Sequence, residues 1–402
     1  MSDLLKHDFK NILVALILTV GLFYLSSNQD VWFVIWGGLS IPPQIPFSDL
    51  KAHVHFYNCH KIGIDIFSEK CSLIPSGGGT ISTHPSIWLN IVDFFKLYED
   101  IYLNSFILIS YFIYFYLILN FFKIFNSFES NIFLLIFLFS TTNFLLIERY
   151  STDLLIFILI SLIIFFKSNI LKLFFIFIGT LLKFYPFFSL LIFIKDKKFF
   201  FISFFALSLF LYFFYLDQIL STNENLIEMA LFVAYGSRTM LKAFYFLSEN
   251  YNFFINENNL DLFRIIFISL IFIYSVILAL LGYFNSRTRQ LNTVSLNEQY
   301  FLIGSSIYIG TFIFAANADY RLIFLIFAIP YILDIKNILI KYILIFCIII
   351  SINSFLFQFG DPLSVSFFIR AFFIFGCKFI IFSLFLLFIG NILKKINFLK
   401  FH

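Results

Sequence analysis

Residues 131–166 read NIFLLIFLFSTTNFLLIERYSTDLLIFILISLIIFF, and their charges are confined to Glu148, Arg149 and Asp153 at the centre. The flanking runs, Asn131–Ile147 and Leu154–Phe166, contain no Asp, Glu, Lys or Arg. A helix on the surface of a soluble protein keeps one polar face, and a half-buried strand alternates polar with apolar. Neither run does either. A segment apolar all round belongs inside a protein or inside a bilayer. The same texture extends through the 402 residues, of which 61% are hydrophobic and only 12% charged, with a mean hydropathy of +0.96. Soluble domains carry roughly a quarter charged residues. The excess of Phe, 66 in all, together with Ile, Asn and Lys, reads as codon bias, because a lipid-facing position accepts any large apolar side chain.

A hydrocarbon core about 30 Å thick takes roughly 20 apolar residues per helix. Apolar spans fall near 11–27, 101–122, 131–147, 153–166, 169–182, 186–194, 199–216, 262–284, 298–316, 321–335, 341–358 and 366–391. They are continuous rather than alternating, which favours helices over barrel strands. The expectation is an all-α polytopic integral membrane protein, one domain over 1–402, with about 11–12 transmembrane helices. Span 186–194 is too short to cross alone and pairs with the preceding helix across a break at Tyr185-Pro186. The first span follows Lys6 and Lys10 and lacks a small-residue cleavage site, so it reads as a signal-anchor.

Basic residues set the orientation. With the N-terminus inside, the inner loops receive Lys6, Lys10, Lys123, Lys167, Lys172, Lys195, Lys197, Lys198, Arg287, Arg289, Lys336, Lys341, Lys394, Lys395 and Lys400. Both termini are then cytoplasmic, and two long loops, 28–100 and 217–261, lie outside. Within the first, 51–67 suits a short interfacial helix and Ser76-Gly77-Gly78-Gly79-Thr80 a loop. Cys59 and Cys71 share this outer loop, which admits a local disulfide without requiring one. Cys347 and Cys377 fall within helices and read as apolar fillers.

The chemistry-bearing residues gather outside. They are Asp49 with Ser48; His53, His55, His60 and His84; Glu148, Arg149 and Asp153; Lys183 and Tyr185; Arg238; and Asp319, Tyr320 and Arg321. Ionisable groups at the membrane edge are costly unless paired or facing a wet cavity, so their convergence on one face suggests a shared polar cavity. Asp49 reads either as a helix cap or as a general base taking a proton from a hydroxyl. Arg149, Lys183, Arg238 and Arg321 read either as a clamp for a phosphate or as snorkelling and ion-paired residues. The histidines lack zinc-site spacing, and one or two of them suit hydrogen-bonding an acceptor sugar or are simply solvated. Trp32, Trp36, Trp88 and Tyr57 suit stacking on sugar rings or anchoring at the interface. No Gly-rich nucleotide fingerprint is present.

The stretches Ser48-Asp49-Leu50, Glu148-Arg149-Tyr150-Ser151-Thr152-Asp153-Leu154, Lys183-Phe184-Tyr185-Pro186 and Asp319-Tyr320-Arg321-Leu322 together resemble the GT-C superfamily of membrane glycosyltransferases. The likeness is to the bacterial branch of polyprenol-phosphate-mannose-dependent mannosyltransferases and arabinofuranosyltransferases. In that family the second stretch often reads Glu-Arg-Gly-Asn-x-Asp, and here Tyr150 and Ser151 stand in place of Gly-Asn.

The resemblance implies a GT-C-like fold in the bacterial inner membrane and an extracytoplasmic site. It implies a polyprenyl-phosphate monosaccharide as donor and a glycan or glycolipid as acceptor, with no nucleic acid partner. Asp49 becomes the catalytic base, and Arg149, Lys183, Arg238 and Arg321 hold the donor phosphate. His53, His84, Glu148, Asp153, Tyr185, Asp319 and Tyr320 serve the acceptor or support the site. No cofactor is implied, with an aspartate–metal site as the alternative. The competing readings are an O-antigen or capsule polymerase, a non-enzymatic lipid-linked-sugar transporter, and a membrane protein whose outer polar residues only cap and anchor helices.

Overall fold

A computed structural model of the chain describes residues 2–38, 46–71, 82, 85–123, 128–224, 234–236, 239, 260–286, 293–314, 317–357 and 365–398. The glycine run 76–80, His84 and Arg238, and the outer loop 217–261 beyond residue 224 apart from 234–236, 239 and 260–261, lie outside these residues, as does the side chain of Tyr320. The described part is almost wholly helical, so an all-α membrane protein is the right class. Among the described residues, four helices are long and apolar enough to cross a bilayer, through Phe9–Ser26, Asp100–Phe121, Ile265–Asn285 and Ile369–Lys395. A fifth crossing arises if Asn131–Leu138 and Thr141–Arg149, bent by 49°, act together. Thr152–Phe165, Asn169–Leu182, Arg321–Leu333 and Ile338–Ile352 are apolar but shorter. The stretch expected as one span over 131–147 is thus cut into two helices.

The chain packs as two compact units: residues 1–139, 143–187 and 205–227, and residues 140–142, 188–204 and 228–402. In the first unit, α1 (Ser2–Ser26), α2 (Gln29–Gly38), α3 (Ser48–Lys61), α4 (Ile87–Phe94), α5 (Asp100–Lys123) and α6 (Phe128–Leu138) precede α7 (Thr141–Arg149), α8 (Thr152–Phe165) and α9 (Asn169–Leu182). Helix α1 packs along α5, and α8 along α9. Asn11 donates to Asn120 across the α1–α5 seam at 3.0 Å. Such a bond between apolar helices contributes about 1 kcal/mol. Helix α9 stops at Leu182 because Pro186 cannot continue it. Lys183 turns extended at φ −160°, ψ 141°, and a 3-10 helix follows over Tyr185–Phe193.

Helix α10 (Lys197–Glu224) leads on to the second unit's elements. These are the two-residue strand β1 (Ala234–Tyr235), α11 (Leu260–Asn285), α12 (Leu296–Phe314), β2 (Asn317–Ala318), a 3-10 helix (Asp319–Ala328), α13 (Ile329–Leu333), α14 (Ile338–Ile352), a 3-10 turn (Ser354–Phe357) and α15 (Val365–Lys395). The strands pair antiparallel, Ala234 with Ala318 and Tyr235 with Asn317. Helix α12 opens on a capping box: Ser295 accepts from the Glu298 amide at 3.2 Å, and Glu298 accepts from the Ser295 amide at 2.7 Å. Glu298 also holds Lys395 of α15 at 2.8 Å.

Helices α11 and α15 pack closely along one another. A Cβ on Gly282 would lie 2.1 Å from the Leu387 carbonyl oxygen, and one on Gly390 2.0 Å from that of Ala279. Small residues let backbones approach where lipid offers no hydrophobic drive between helices. Gly390→Leu should therefore force the two backbones apart. Thermal unfolding in lipid nanodiscs is expected to show a loss of 1–3 kcal/mol or about that order, whereas Gly376→Leu, whose Cβ meets nothing within 4 Å, should leave the melting temperature nearly unchanged.

Candidate functional site

The site is built where the chain twice enters the left-handed region. Phe47 has φ 63° and Tyr150 φ 48°, conformations that cost a non-glycine residue roughly 1–2 kcal/mol. Aromatic packing holds both in place. The Phe47 ring meets Tyr150 at 6.5 Å, Tyr111 at 5.9 Å and Trp32 at 5.8 Å between centroids, and Tyr111 meets Tyr150 at 5.3 Å. The Tyr111 hydroxyl donates to the Ile147 carbonyl at 2.6 Å. Edge-on aromatic pairs add roughly 0.5–1.5 kcal/mol each beyond burial, enough to offset the backbone cost. Tyr150 occupies the position where the resemblance expects Gly, the residue that adopts this conformation freely.

These two kinks bring distant segments together. The Phe47 amide donates to the Glu148 carbonyl at 3.0 Å, which sets the start of α3 against the end of α7. The cap position of α3 falls on Phe47, whose side chain makes no cap bond. Asp49 lies one residue inside the helix, so the cap reading of this residue does not hold. One turn on, His53 shares its face and stacks on Trp88 of α4 at 4.2 Å and 9°. The Trp88 indole N–H donates to the Leu182 carbonyl at 3.4 Å, directly before Lys183. The ring of contacts closes through α8. Asp153 is fully buried and takes the Lys183 ammonium at 2.5 Å, the Ser151 hydroxyl at 2.9 Å and the Tyr185 hydroxyl. Ser151 caps α8 by accepting from the Asp153 amide.

Asp49 is half-buried within this ring. Burial pushes its carboxyl above the ordinary carboxylate value. The charges of Arg149 and Lys183 pull the other way, the Asp153 charge adds to the rise, and the neighbouring Ser151 hydroxyl opposes it. The net result is upward. A carboxylate held there is a stronger base than an exposed one, which suits general-base work near neutral pH. Arg149 pairs with buried Glu148 at 3.8 Å and keeps 28% of its side chain exposed, against 13% for Lys183.

The structure thus gathers Asp49, His53, Glu148, Arg149, Asp153, Lys183 and Tyr185 in one unit. Asp319 and Arg321 belong to the other unit, where the Asp319 carboxylate is buried against Lys378 at 2.8 Å. A carboxylate sealed in this way is a supporting group and not one that meets an acceptor. Trp32, Trp36 and Trp88 are buried to 3% exposure or less, so their rings pack the interior and offer no face to a sugar. Cys59 and Cys71 are joined as a disulfide, packed with Phe56 and Ile66. Beside it, the Tyr57 hydroxyl donates to Asp93, and Tyr57 stacks on Tyr98 at 5.5 Å with Lys61 over both rings. Among the described residues no three His, Cys, Asp or Glu side chains cluster as metal ligands.

Two features escaped the sequence reading. Ser151 was seen only as a departure from a motif, although a Ser two residues before an acid at a helix start is a cap signal. Lys378 was passed over inside an apolar run, where a lone charge is itself a signal. No protein-family model matches this chain, and no curated protein and no solved structure matches it.

Proposed function

We infer that this protein transfers a monosaccharide from a polyprenyl-phosphate donor to a glycan or glycolipid hydroxyl at the extracytoplasmic membrane face, inverting the anomeric centre. One observation carries this reading: Asp49 lies in the same unit as Arg149 and Lys183, about a hundred residues or more further along the chain, and feels the charge of both. A base beside two cations at a membrane edge fits a reaction that deprotonates a hydroxyl while a lipid phosphate departs. The left-handed backbone at Tyr150 and the tether of Lys183 to Asp153 support the likeness to GT-C glycosyltransferases that the motifs suggested.

The residues act as follows. Asp49 takes the proton of the acceptor hydroxyl. The freed oxygen bonds to the anomeric carbon, and the bond from that carbon to the phosphate oxygen breaks. Arg149 and Lys183 meet the charge that develops on the departing polyprenyl phosphate. Fixed cations in a low-dielectric site stabilise such charge better than water does. Asp153, Ser151 and Tyr185 hold Lys183 and the α8 terminus in place, so little reorganisation is left for the reactive step. His53, one turn from Asp49, is buried against Trp88 and supports the site rather than meeting the acceptor.

Mass spectrometry of surface glycans and glycolipids, with and without the gene, tests the reading and names the sugar. Loss of a single sugar residue from one glycan class is the expected result. Loss of whole polymer repeats indicates a polymerase instead, and an unchanged glycan profile removes the glycosyltransferase reading.

A further inference from the structure

Lys378 is the only Asp, Glu, Lys or Arg between Arg370 and Lys394, in the long apolar span of α15. Its ammonium lies 2.8 Å from both carboxylate oxygens of Asp319, and neither side chain has any exposure. The Ser354 hydroxyl donates to the same carboxylate. The Thr142 hydroxyl donates to the Asp319 carbonyl at 3.3 Å, and the Tyr308 hydroxyl to the Lys378 carbonyl at 2.8 Å. Thr141, next to Thr142, is in turn bonded to Ile352 and Asn353, just before Ser354.

Three interruptions of regular helix therefore meet at one ion pair: the 139–141 break, the Asn317–Asp319 entry to the 3-10 helix, and the turn at Ser354. Irregular backbone at membrane depth survives only where its polar groups find partners inside the protein. A buried ion pair is a costly way to hold a core, since apolar residues of the same volume hold it as well or better. What it adds over an apolar core is a defined place for its partners. Asp319 is the first residue of its 3-10 helix, and Arg321 follows two residues later, which is at most about 7 Å of chain.

We propose that Lys378 is a positioning residue: by gripping Asp319 it sets the segment Asn317–Arg321, and thereby where Arg321 is presented. Only the further step, that Arg321 then faces an anionic lipid phosphate, rests on the glycosyl-transfer reading.

The test uses the full chain in lipid nanodiscs. With Cys347→Ala and Cys377→Ala in place, Arg321→Cys is labelled with a maleimide in otherwise native protein, with Lys378→Met, with Asp319→Asn, and with both of these together. Lys378→Met leaves Asp319 buried and unpaired and is expected to lower the melting temperature. The doubly neutral protein should melt close to the native value. In that folded, doubly neutral protein the labelling rate should change about fivefold or more, and the exchange of Asp319→Lys with Lys378→Asp should restore it. A native labelling rate in the doubly neutral protein overturns the proposal.

Farnesyl phosphate binding, followed by thermophoresis with Arg321 intact, tests the ligand step separately. Affinity should fall in the doubly neutral protein, with no further fall on adding Arg321→Ala. Failure of farnesyl phosphate to bind the native protein overturns the phosphate role of Arg321, and the labelling result still decides for or against Lys378.

Discussion

Asp49→Asn is expected to abolish sugar transfer and, at the same time, to make the protein more stable at pH 7. A positioned general base contributes roughly 100- to 10,000-fold in rate, and an amide cannot take the proton. The stability change has the opposite sign because the carboxyl is pushed upward by burial. The folded state then holds that proton more tightly than the unfolded chain does. Its contribution is most favourable below the unfolded carboxylate value near 4. It declines as pH rises from there toward the folded value, and the full cost is reached above that value. The amide never ionises and so escapes this cost. Melting curves from pH 4 to pH 8 should show the variant above the native protein at neutral pH, with the gap closing toward pH 4. A variant that loses activity and stability together would mean that Asp49 serves the fold.

Lys183→Met should be damaging in both respects. The Lys183–Asp153 pair is 2.5 Å long, with Asp153 fully buried. Removing the ammonium takes the charged partner from a buried carboxylate that the Ser151 and Tyr185 hydroxyls also bond. Breaking a buried pair costs about 3–5 kcal/mol, and the low end applies because Lys183 retains some exposure. Transfer should fall roughly 100-fold as well, the usual effect of losing one group that stabilises developing charge. Pairing Lys183→Met with Asp153→Asn should recover most of the stability and none of the transfer. Recovery of both would assign the lysine to the fold alone. Arg149→Ala offers the contrast: its side chain is more exposed and its partner is 3.8 Å away. Its loss should lower transfer with a smaller stability change.

Much of the helical map was legible in the sequence, because an apolar run has a length and an end that lipid and proline impose. Asn169–Leu182 matches its expected boundaries, and Pro186 stops it as expected. The span expected over 131–147 was not seen as two pieces. Its break at Ser140 depends on Thr141 finding Asn353 and Ile352 more than two hundred residues away, and local pattern carries no such information. Division into two units escaped for the same reason. At the site, residue type marked Asp49, Arg149 and Lys183 as candidates, but not the links between them. The His53–Trp88–Leu182 relay and the aromatic packing that holds Phe47 and Tyr150 left-handed are properties of tertiary packing. The tryptophans show the converse limit, because the same residue at the same depth anchors an interface or fills a core according to neighbours that the sequence does not order.

The central claim is tested most directly by the lipid product. Purified protein in vesicles containing a polyprenyl-phosphate sugar and membrane glycolipids is incubated, and free polyprenyl phosphate is quantified by mass spectrometry. The account predicts release of one polyprenyl phosphate for each sugar gained by an acceptor, and none from the Asp49→Asn variant. Release of polyprenyl pyrophosphate, movement of the intact donor across the bilayer without release, or equal release by the variant would contradict it.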